Sequence, residues 1–393
     1  MSNSPAGRFA GLQQRVAQRE AGRLRDAFIS SPAPGRDGRI LLARLVALLV
    51  LVGAAAVTLL GGWLLLLALG LAGPISSFTR VLAGVAALTI LGFVWLARPR
   101  FSMVDGQVVT EAQAPTLHAL VAEVASLMGV RQPAQLRVSH HLNAFMGHSG
   151  FPPRPALGLG LPLWFVLAPQ ERLSVLAHEL AHQKNGDPAR SHLIALALNF
   201  LGMAVHTLWP DWVMEARAAQ QGLVALLINL ILKGLALLPL GLYTLLQSLI
   251  GAEHQRAEFR ADLLGAQVAG QEATLSALDA IHILSEGHLL ETALQRQRSN
   301  PRHAHAFAEL RQLWAEFSPA QRERVRAASP EDARLDASHP PTAHRLAVLQ
   351  AHAAPARLHL LADQAARIDA ELAPFVRRAD QHALDEYRLR YNA

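Results

Sequence analysis

The sequence predicts a mainly α-helical, multi-pass membrane protein that also carries a smaller α+β domain outside the bilayer. Of its 393 residues, 51% are hydrophobic and only 17% are charged, an unusual balance for a soluble protein of this length. Residues 45–79 contain no charged side chain, and this run exceeds the roughly 20 residues that a helix needs to cross a bilayer. Beyond residue 98, apolar residues recur with the periods of both helices and strands, which predicts the mixed domain.

The N-terminal part divides into a basic segment and a membrane hairpin. Residues 1–44 are rich in arginine, and they are too long and too polar to be the n-region of a cleaved signal peptide. Residues 45–97 form two apolar runs separated by a short turn after Pro74, which predicts a transmembrane helical hairpin. Arginines crowd the two outer ends of this hairpin, so the positive-inside rule places the N-terminus and the chain after Arg98 in the cytoplasm.

Residues 191–252 contain two further apolar stretches, Ser191–Pro210 and Ala218–Ala252. The second stretch includes Lys233, and a lysine in the middle of a span is costly unless it faces a cavity or reaches the interface. We favour a second membrane hairpin here, with helices that lie on or partly in the membrane as the alternative.

The α+β domain is predicted in two parts, residues 98–190 and residues 253–349, followed by a helical C-terminal tail at residues 350–393. Its second part and the tail are rich in Ala, Leu, Arg and Glu and read as mostly helical, with a loop around Ser338–Pro341.

The first part of this domain combines helices with short strands. Pro115 suits the first turn of a helix that runs to Met128, and Gly129 ends that helix. A second helix is predicted at Gln170–His182 from its apolar period. The predicted strands are Gln135–Ser139, Asn143–Gly147 and Ala156–Leu161.

Composition excludes several classes of function. The chain has no cysteine, so disulfides, thiolate nucleophiles and cysteine zinc sites are excluded, and any metal must be bound by His, Asp or Glu. The net charge of +6 is carried by scattered arginines, with only two lysines, Lys184 and Lys233. No basic block is interleaved with aromatic residues, so we expect no nucleic-acid partner.

A His-Glu-x-x-His motif lies at the end of the helix predicted over Gln170–His182. His178 and His182 are four residues apart, so both imidazoles lie on one helical face, as two ligands of a tetrahedral zinc require. Glu179 between them is within reach of a water at the metal, where it would act as the general base.

Zinc needs a third protein ligand, and the residues offer three candidates. The metzincin pattern is excluded, because Asn185 and Pro188 stand where it requires Gly and His. Glu258 is favoured, since Asp262 lies one turn further on and could accept a hydrogen bond from a ligand histidine. Glu253 and His192 remain the alternatives.

Four motifs in order resemble those of the membrane peptidases that include the heat-shock protease HtpX and the CAAX prenyl endopeptidases. The His-Glu-x-x-His helix, followed by Asn185 and Asp187, is similar to the zinc helix of that family. The other three motifs are Asn143-Ala144-Phe145, Arg256–Asp262, and Ser338–Thr342 with Arg345. Together they cover residues 115–349, with two departures: Met146 replaces an expected small residue, and residues 350–393 match no family segment.

The resemblance implies a gluzincin-type metalloprotease domain with one zinc per chain and with Asp262 and Asp187 around the ligands. It also implies peptide or membrane-protein substrates that pair with the backbone of Asn143, Ala144 and Phe145. His339 or Arg345 would stabilise the oxyanion, although Arg345 could equally pair with a carboxylate such as Asp262 or Glu179, and His339 could simply fix its loop.

The resemblance to HtpX further implies protein quality control at the lipid bilayer of the inner membrane, with the protease domain in the cytoplasm. The alternatives are a processing protease of the CAAX type and a non-catalytic membrane scaffold that binds a metal. The intact Glu179 argues against the scaffold, since zinc binding alone does not require a base.

Overall fold

The computed structural model describes residues 21–32, 38–98, 105–149, 154–185, 192–209, 223–299, 305–328 and 340–391. The chain divides into two compact units. Unit 1 comprises residues 1–35, 102–186 and 255–393, and unit 2 comprises residues 36–101 and 187–254.

The described part of the chain is mostly helical, with one small sheet, as the sequence predicts. The helices are α1 (residues 21–30), α2 (Arg39–Ala68), α3 (Ser77–Ala97), α4 (Pro115–Met128), α5 (Leu161–Val166), α6 (Pro169–Asn185), α7 (His192–Leu208), α8 (Leu223–Ala269), α9 (Gln271–Glu286), α10 (Leu289–Ser299), α11 (Ala306–Glu316), α12 (Pro319–Ala328), α13 (Thr342–Gln350) and α14 (Ala362–Tyr391). The strands are β1 (Gln107–Val109), β2 (Gln135–Ser139), β3 (Ala144–Ser149) and β4 (Arg154–Gly160). The division between the two units falls within α8, after His254.

Unit 2 consists of apolar helices. Helices α2, α3 and α8 are each long and apolar enough to cross a membrane, whereas α7, with 17 residues, is shorter than a typical span. Most of the large apolar side chains of α2 and α3 are exposed, as expected for helices whose solvent is lipid. Gly61 allows α2 and α3 to approach closely, because a Cβ there would lie 2.9 Å from Ile90 Cγ2.

The turn between α2 and α3 comprises residues 69–76, several residues earlier than the turn predicted around residues 74–80, because α3 already begins at Ser77. Gly70 and Gly73 have φ angles of 76° and 127°, a region that favours glycine. Ser76 then caps α3, since its hydroxyl accepts a hydrogen bond from the Thr79 N–H at 3.1 Å. Helix α2 begins at Arg39, six residues before the predicted apolar run, because arginine is a good helix former and can extend the helix beyond that run.

The sheet of unit 1 has the strand order β1-β2-β4-β3. Strands β2 and β4 are parallel, and the two outer pairs are antiparallel. The sequence predicts β2, β3 and β4 to within three residues at each end, but β1 is only three residues long and was not predicted. Among the described strands, β3 pairs only with β4, so one edge of β3 is free for other partners.

The hydrophobic core of unit 1 lies between this sheet and the surrounding helices. Helix α4 has the predicted bounds, with Pro115 in its first turn and Gly129 in the left-handed conformation at its end. Its N-terminus is capped by Glu371 of α14, whose carboxylate accepts hydrogen bonds from the N–H groups of Thr116 and Leu117 at 2.9 and 3.2 Å. The predicted helical tail is therefore a packed element of the core rather than an appendage.

Helices α6 and α8 approach closely in unit 1, and this approach builds the site. Gly265 of α8 lies against α6, where an added Cβ would contact the Ser174 carbonyl oxygen at 3.4 Å and the His178 nitrogen at 3.5 Å. Ala261, one turn earlier, is fully buried. Small residues one turn apart let the two backbones approach, so side chains of α8 reach those of α6.

Candidate metal centre

Helix α6 carries three of the candidate residues within little more than one turn. The rings of His178 and His182 meet edge to face with their centroids 4.9 Å apart. One ligand atom from each of His178, Glu179 and His182 lies within 4.8 Å of the others. Glu179 and His182 are buried, at 8% and 5% exposure, so ionisable groups are gathered where solvent has little access. Such groups require compensating partners.

Glu258 of α8 directs its carboxylate at both imidazoles. Its Oε2 lies 3.6 Å from His178 Nε2, and its Oε1 lies 3.4 Å from His182 Nε2. Zinc–ligand bonds of about 2.0–2.1 Å in a tetrahedral site separate the ligand atoms by about 3.3 Å. The two nitrogens and the carboxylate are therefore spaced like ligands of one ion.

Asp262 lies behind His178 and links it to Arg345. Its Oδ1 is 2.9 Å from His178 Nδ1 and accepts a hydrogen bond from Arg345 Nη2 at 2.7 Å. Its Oδ2 accepts a second hydrogen bond from Arg345 Nε at 2.8 Å. Arg345 Nη2 also lies 3.6 Å from Glu258 Oε2. Of the two roles expected for Arg345, the structure shows the pairing with Asp262 as a buried, bidentate ion pair.

These contacts set the protonation of the buried groups. Burial acts to lower the pKa of His178, but hydrogen bonds and the negative charges of Asp262 and Glu258 outweigh it and raise that pKa to about 10. Burial acts to raise the pKa of Asp262, but Arg345 and His178 together lower it below its ordinary value. Asp262 therefore stays ionised, and the centre carries the negative charge that a divalent cation requires.

Glu179 is held against the free edge of strand β3. Its Oε2 accepts a hydrogen bond from the Met146 N–H at 2.9 Å. The Gly160 N–H donates to the Asn143 carbonyl at 2.8 Å, so by the alternation of an antiparallel ladder residues 145 and 147 bond to β4. Residues 144 and 146 therefore direct their backbone groups away from β4. The base candidate and the free strand edge therefore adjoin.

A cavity of about 350 Å³ opens beside His178 and Glu179. Asn143, just before β3, and Ala144, its first residue, line one side, and Arg345 lines another. Most of its other walls are apolar, with Leu142, Leu163, Val175, Leu278 and Ile281 among them. His178, Glu179, Asp262 and Arg345 add polar groups to these apolar walls, a combination typical of ligand-binding sites.

The centre as described does not include every candidate residue. Phe145 does not line the cavity, because alternate residues of a strand face opposite sides and its ring lies over Gly158 of β4. Asp187 and His339 lie outside the described residues. The two alternative third ligands, Glu253 and His192, belong to unit 2.

Sequence reasoning missed three groups at this site. The Met146 N–H is one of them, because a sequence pattern describes side chains and does not indicate where a backbone N–H points. Ser174 and Thr274 line the cavity and share a hydrogen bond of 2.9 Å between their hydroxyls. The position of Ser174 one turn before His178 placed it on the same helical face and could have indicated it.

The donor set fits a zinc ion. Two imidazole nitrogens and one carboxylate face a common point, and the carboxylate of Asp262 orients one imidazole from behind, as in many histidine-ligated zinc sites. This donor set, on helices beside the free edge of β3 and in a chain with helices of membrane-spanning length, is typical of a membrane protease of the metallopeptidase class.

Comparison with known proteins gives the family. The model of peptidase family M48 matches residues 111–353, and the chain belongs to this family of metallopeptidases, which typically hold zinc. The match includes all the described residues of the centre.

Curated relatives agree with this assignment. A protein named protease HtpX homolog from Syntrophobacter fumaroxidans is 26% identical over 277 residues, which cover 68% of this chain and 86% of the relative. Another of that name, from Pyrococcus abyssi, is 27% identical over 315 residues, covering 78% of this chain and 92% of the relative. A third, from Burkholderia mallei, is 27% identical over 230 residues, covering 57% and 76%. No solved structure matches the chain.

Proposed function

We propose that this protein is a zinc-dependent membrane endopeptidase with one catalytic zinc held by His178, His182 and Glu258. The observation that supports this most directly is the convergence of both Nε2 atoms on the Glu258 carboxylate, at 3.6 and 3.4 Å. When bound, zinc polarises a carbonyl and lowers the pKa of water. Three protein ligands leave a fourth position open, which is typical of catalytic rather than structural zinc sites.

Glu179 is the proposed general base. Its carboxylate adjoins the proposed ligand imidazoles and is fixed by the Met146 N–H, so it is positioned to take a proton from the attacking water. The same group then delivers that proton to the leaving amine. No side chain is required to form a covalent bond to the substrate.

We assign Asp262 and Arg345 to positioning. Asp262 fixes the ring of His178 through Nδ1, so that Nε2 faces the centre, and Arg345 holds Asp262 in place through two hydrogen bonds. Asp187 is likewise proposed to hold a metal-ligand side chain in position. His339 is proposed to stabilise the developing oxyanion, with a structural role in its loop as the alternative.

The substrate is proposed to be an extended polypeptide that pairs with β3. Backbone pairing with Asn143, Ala144 and Phe145 gives affinity that depends little on the substrate sequence. Asn143 and Ala144 line the cavity, where a substrate side chain would lie, while Phe145 contributes through its backbone. This type of recognition suits an endopeptidase that acts on many unfolded or membrane proteins.

We further propose that the chain is a multi-pass protein of the inner membrane that degrades membrane proteins from the cytoplasmic side. Residues 45–97 and 191–252 would form the membrane hairpins, and residues 98–190 and 253–349 the protease domain. The arginines at both ends of the first hairpin support this orientation. The names of the curated relatives support a protease of the HtpX type.

The decisive experiment compares full-length wild type with Glu179→Gln, both purified in detergent, on a model membrane protein, with zinc counted by elemental analysis. We expect both to hold zinc and the variant to cleave about 10²- to 10⁴-fold more slowly. Glu123→Gln, an exposed change on α4, is the matched control and should retain full activity. Cleavage retained in Glu179→Gln would contradict the mechanism, and zinc without cleavage in the wild type would favour the scaffold.

A further inference from the structure

A second cluster of histidines and carboxylates lies in unit 1, at the turn between β2 and β3. His140 and His141 are adjacent in this turn, and their ring centroids are 4.1 Å apart. One ligand atom from each of Asp105, His140 and His141 lies within 4.8 Å of the others. The proposed function uses none of these residues.

The spacing within the cluster is that of metal ligands. His141 Nε2 lies 3.4 Å from Asp105 Oδ2, which is long for a hydrogen bond but close to the separation of about 3.3 Å between two ligands of a tetrahedral zinc. Two imidazoles with a carboxylate suit zinc and related transition metals, whereas calcium and magnesium prefer oxygen ligands alone.

His140 is already oriented by a carboxylate. Its Nε2 lies 2.6 Å from Glu386 Oε2 on α14, and its side chain is only 13% exposed. A histidine that ligates a metal through one nitrogen commonly donates from the other to a carboxylate. Glu386 occupies Nε2, which leaves Nδ1 of His140 as its second nitrogen. The arrangement resembles that of Asp262 and His178 at the first centre.

Asp105 is also fixed before any ion binds. Its Oδ1 accepts a hydrogen bond from the Gly106 N–H at 2.7 Å, which leaves Oδ2 for the histidines. Gly106 in turn is anchored to β2, because Arg137 Nη2 donates to its carbonyl at 2.8 Å. A φ of 103° at Gly106 allows this close approach, and a Cβ there would lie 2.3 Å from the Val138 oxygen.

A cavity adjoins the two histidines of the cluster, on a side that Asp105 does not line, and carboxylates balance the nearby positive charge. A cavity of about 160 Å³ is lined by His140, His141 and Glu386, together with Arg390. Arg390 lies 3.6 Å from Glu386 Oε1 and 4.0 Å from Glu291 Oε1, so two carboxylates offset its charge. His141 and Asp105 are 41% and 66% exposed, which gives an ion access from solvent.

We propose that Asp105, His140 and His141 bind a second zinc ion, with Glu386 holding the His140 ring in position. This ion fastens the turn before β3 to Asp105, two residues before β1. Leu142, the next residue, lines both this cavity and the one beside His178. Zinc at the second site therefore stiffens the start of the strand to which substrate is proposed to pair.

The test is zinc stoichiometry of the full-length, tag-free protein in detergent, after dialysis at a fixed free zinc concentration. We expect two zinc ions per chain in the wild type and one in Asp105→Asn/His141→Gln. His178→Ala/His182→Ala should also retain one, which separates this site from the catalytic centre. His359→Gln, an exposed histidine change, is the matched control and should retain two.

A second variant keeps the outcome clear if the double change perturbs folding. Glu386→Gln should leave the ligands in place and weaken the second zinc by about 10- to 100-fold while the first stays bound. Zinc should also slow hydrogen exchange in residues 140–143 of the wild type but not of Asp105→Asn/His141→Gln. One zinc in the wild type, or two in Asp105→Asn/His141→Gln, would overturn the proposal.

Discussion

Asp262 Oδ1 lies 2.9 Å from His178 Nδ1, so a fully buried carboxylate holds the imidazole from the side opposite Glu258. This contact does two things with opposite effects on zinc affinity. It makes Nε2 a stronger ligand, and it also raises the affinity of His178 for a proton that zinc must displace. The balance between these effects depends on pH.

Substitution of Asp262 tests this balance. Asp262→Asn removes the charge that makes His178 basic, so we expect zinc to bind about 10- to 100-fold more weakly at pH 9. At pH 6.5 the difference in zinc affinity should narrow. His178 is less basic in the variant, so fewer protons compete there with zinc for its imidazole. Competition with a chelator of known affinity measures both values. A difference that does not change with pH would contradict this account.

Zinc binding to the chelator-treated wild type should release a proton from His178. The pKa of His178 is raised to about 10, so the imidazole is protonated below that pH and must become neutral to bind zinc. Zinc affinity should therefore rise by about tenfold per pH unit between pH 6.5 and 8.5 on this account. Calorimetry in two buffers of different ionisation enthalpy counts the protons, and zero release would refute the assignment.

Arg345 should contribute most to the stability of the fold when zinc is absent. Arg345→Met leaves the buried carboxylates of Asp262 and Glu258 without their guanidinium partner, at a cost of about 3–5 kcal/mol in the free energy of unfolding. Bound zinc offsets part of that negative charge, so the loss should be smaller in the zinc-loaded protein. Thermal unfolding of both forms measures the difference.

Arg345→Lys provides the matched comparison for that variant. Lysine keeps the positive charge but cannot form the bidentate pair, so the stability of Arg345→Lys should lie between that of the wild type and that of Arg345→Met. If lysine restored full stability, charge alone would explain the contact. If zinc made no difference to Arg345→Met, the pairing with Asp262 would be unrelated to the metal centre.

Local patterns predicted much of the fold and the candidate centre. Helix α4 has its predicted bounds, because Pro115 and Gly129 act within a single turn of chain. The pairs His178 with His182 and Glu258 with Asp262 each follow from a spacing of four residues on a helix. Such patterns need only local geometry, so they can be read before the fold is known.

Features that depend on tertiary contacts were not predictable in this way. The pairing of Arg345 with Asp262 could not be predicted over its alternatives, because the two residues are 83 positions apart in sequence and meet only in the folded chain. The cluster of Asp105, His140 and Glu386 joins a strand end, a turn and the C-terminal helix, so no sequence spacing indicates it. The role of α14 in capping α4 was missed for the same reason.

The turn before β3 offers a last prediction, at two glycines of β4. A Cβ on Gly160 would lie 1.8 Å from the His141 carbonyl oxygen and 2.4 Å from that of Asn143, and neither backbone atom can move without reshaping the turn. A Cβ on Gly158 would instead meet the Phe145 ring at 2.7 Å, and a side chain can rotate away. Gly160→Ala should therefore lower the free energy of unfolding of unit 1 by at least about 1–3 kcal/mol. Gly158→Ala should lower it by less.

The two variants should also differ in activity. Gly160→Ala displaces Asn143 and the start of β3, so peptide cleavage should fall through a higher KM even at a temperature where the protein is folded. Gly158→Ala moves only a ring on the face of β3 away from the cavity, and KM should change little. Thermal unfolding and KM for a peptide substrate check both expectations. Equal effects of the two changes would show that the turn does not position the strand edge for substrate.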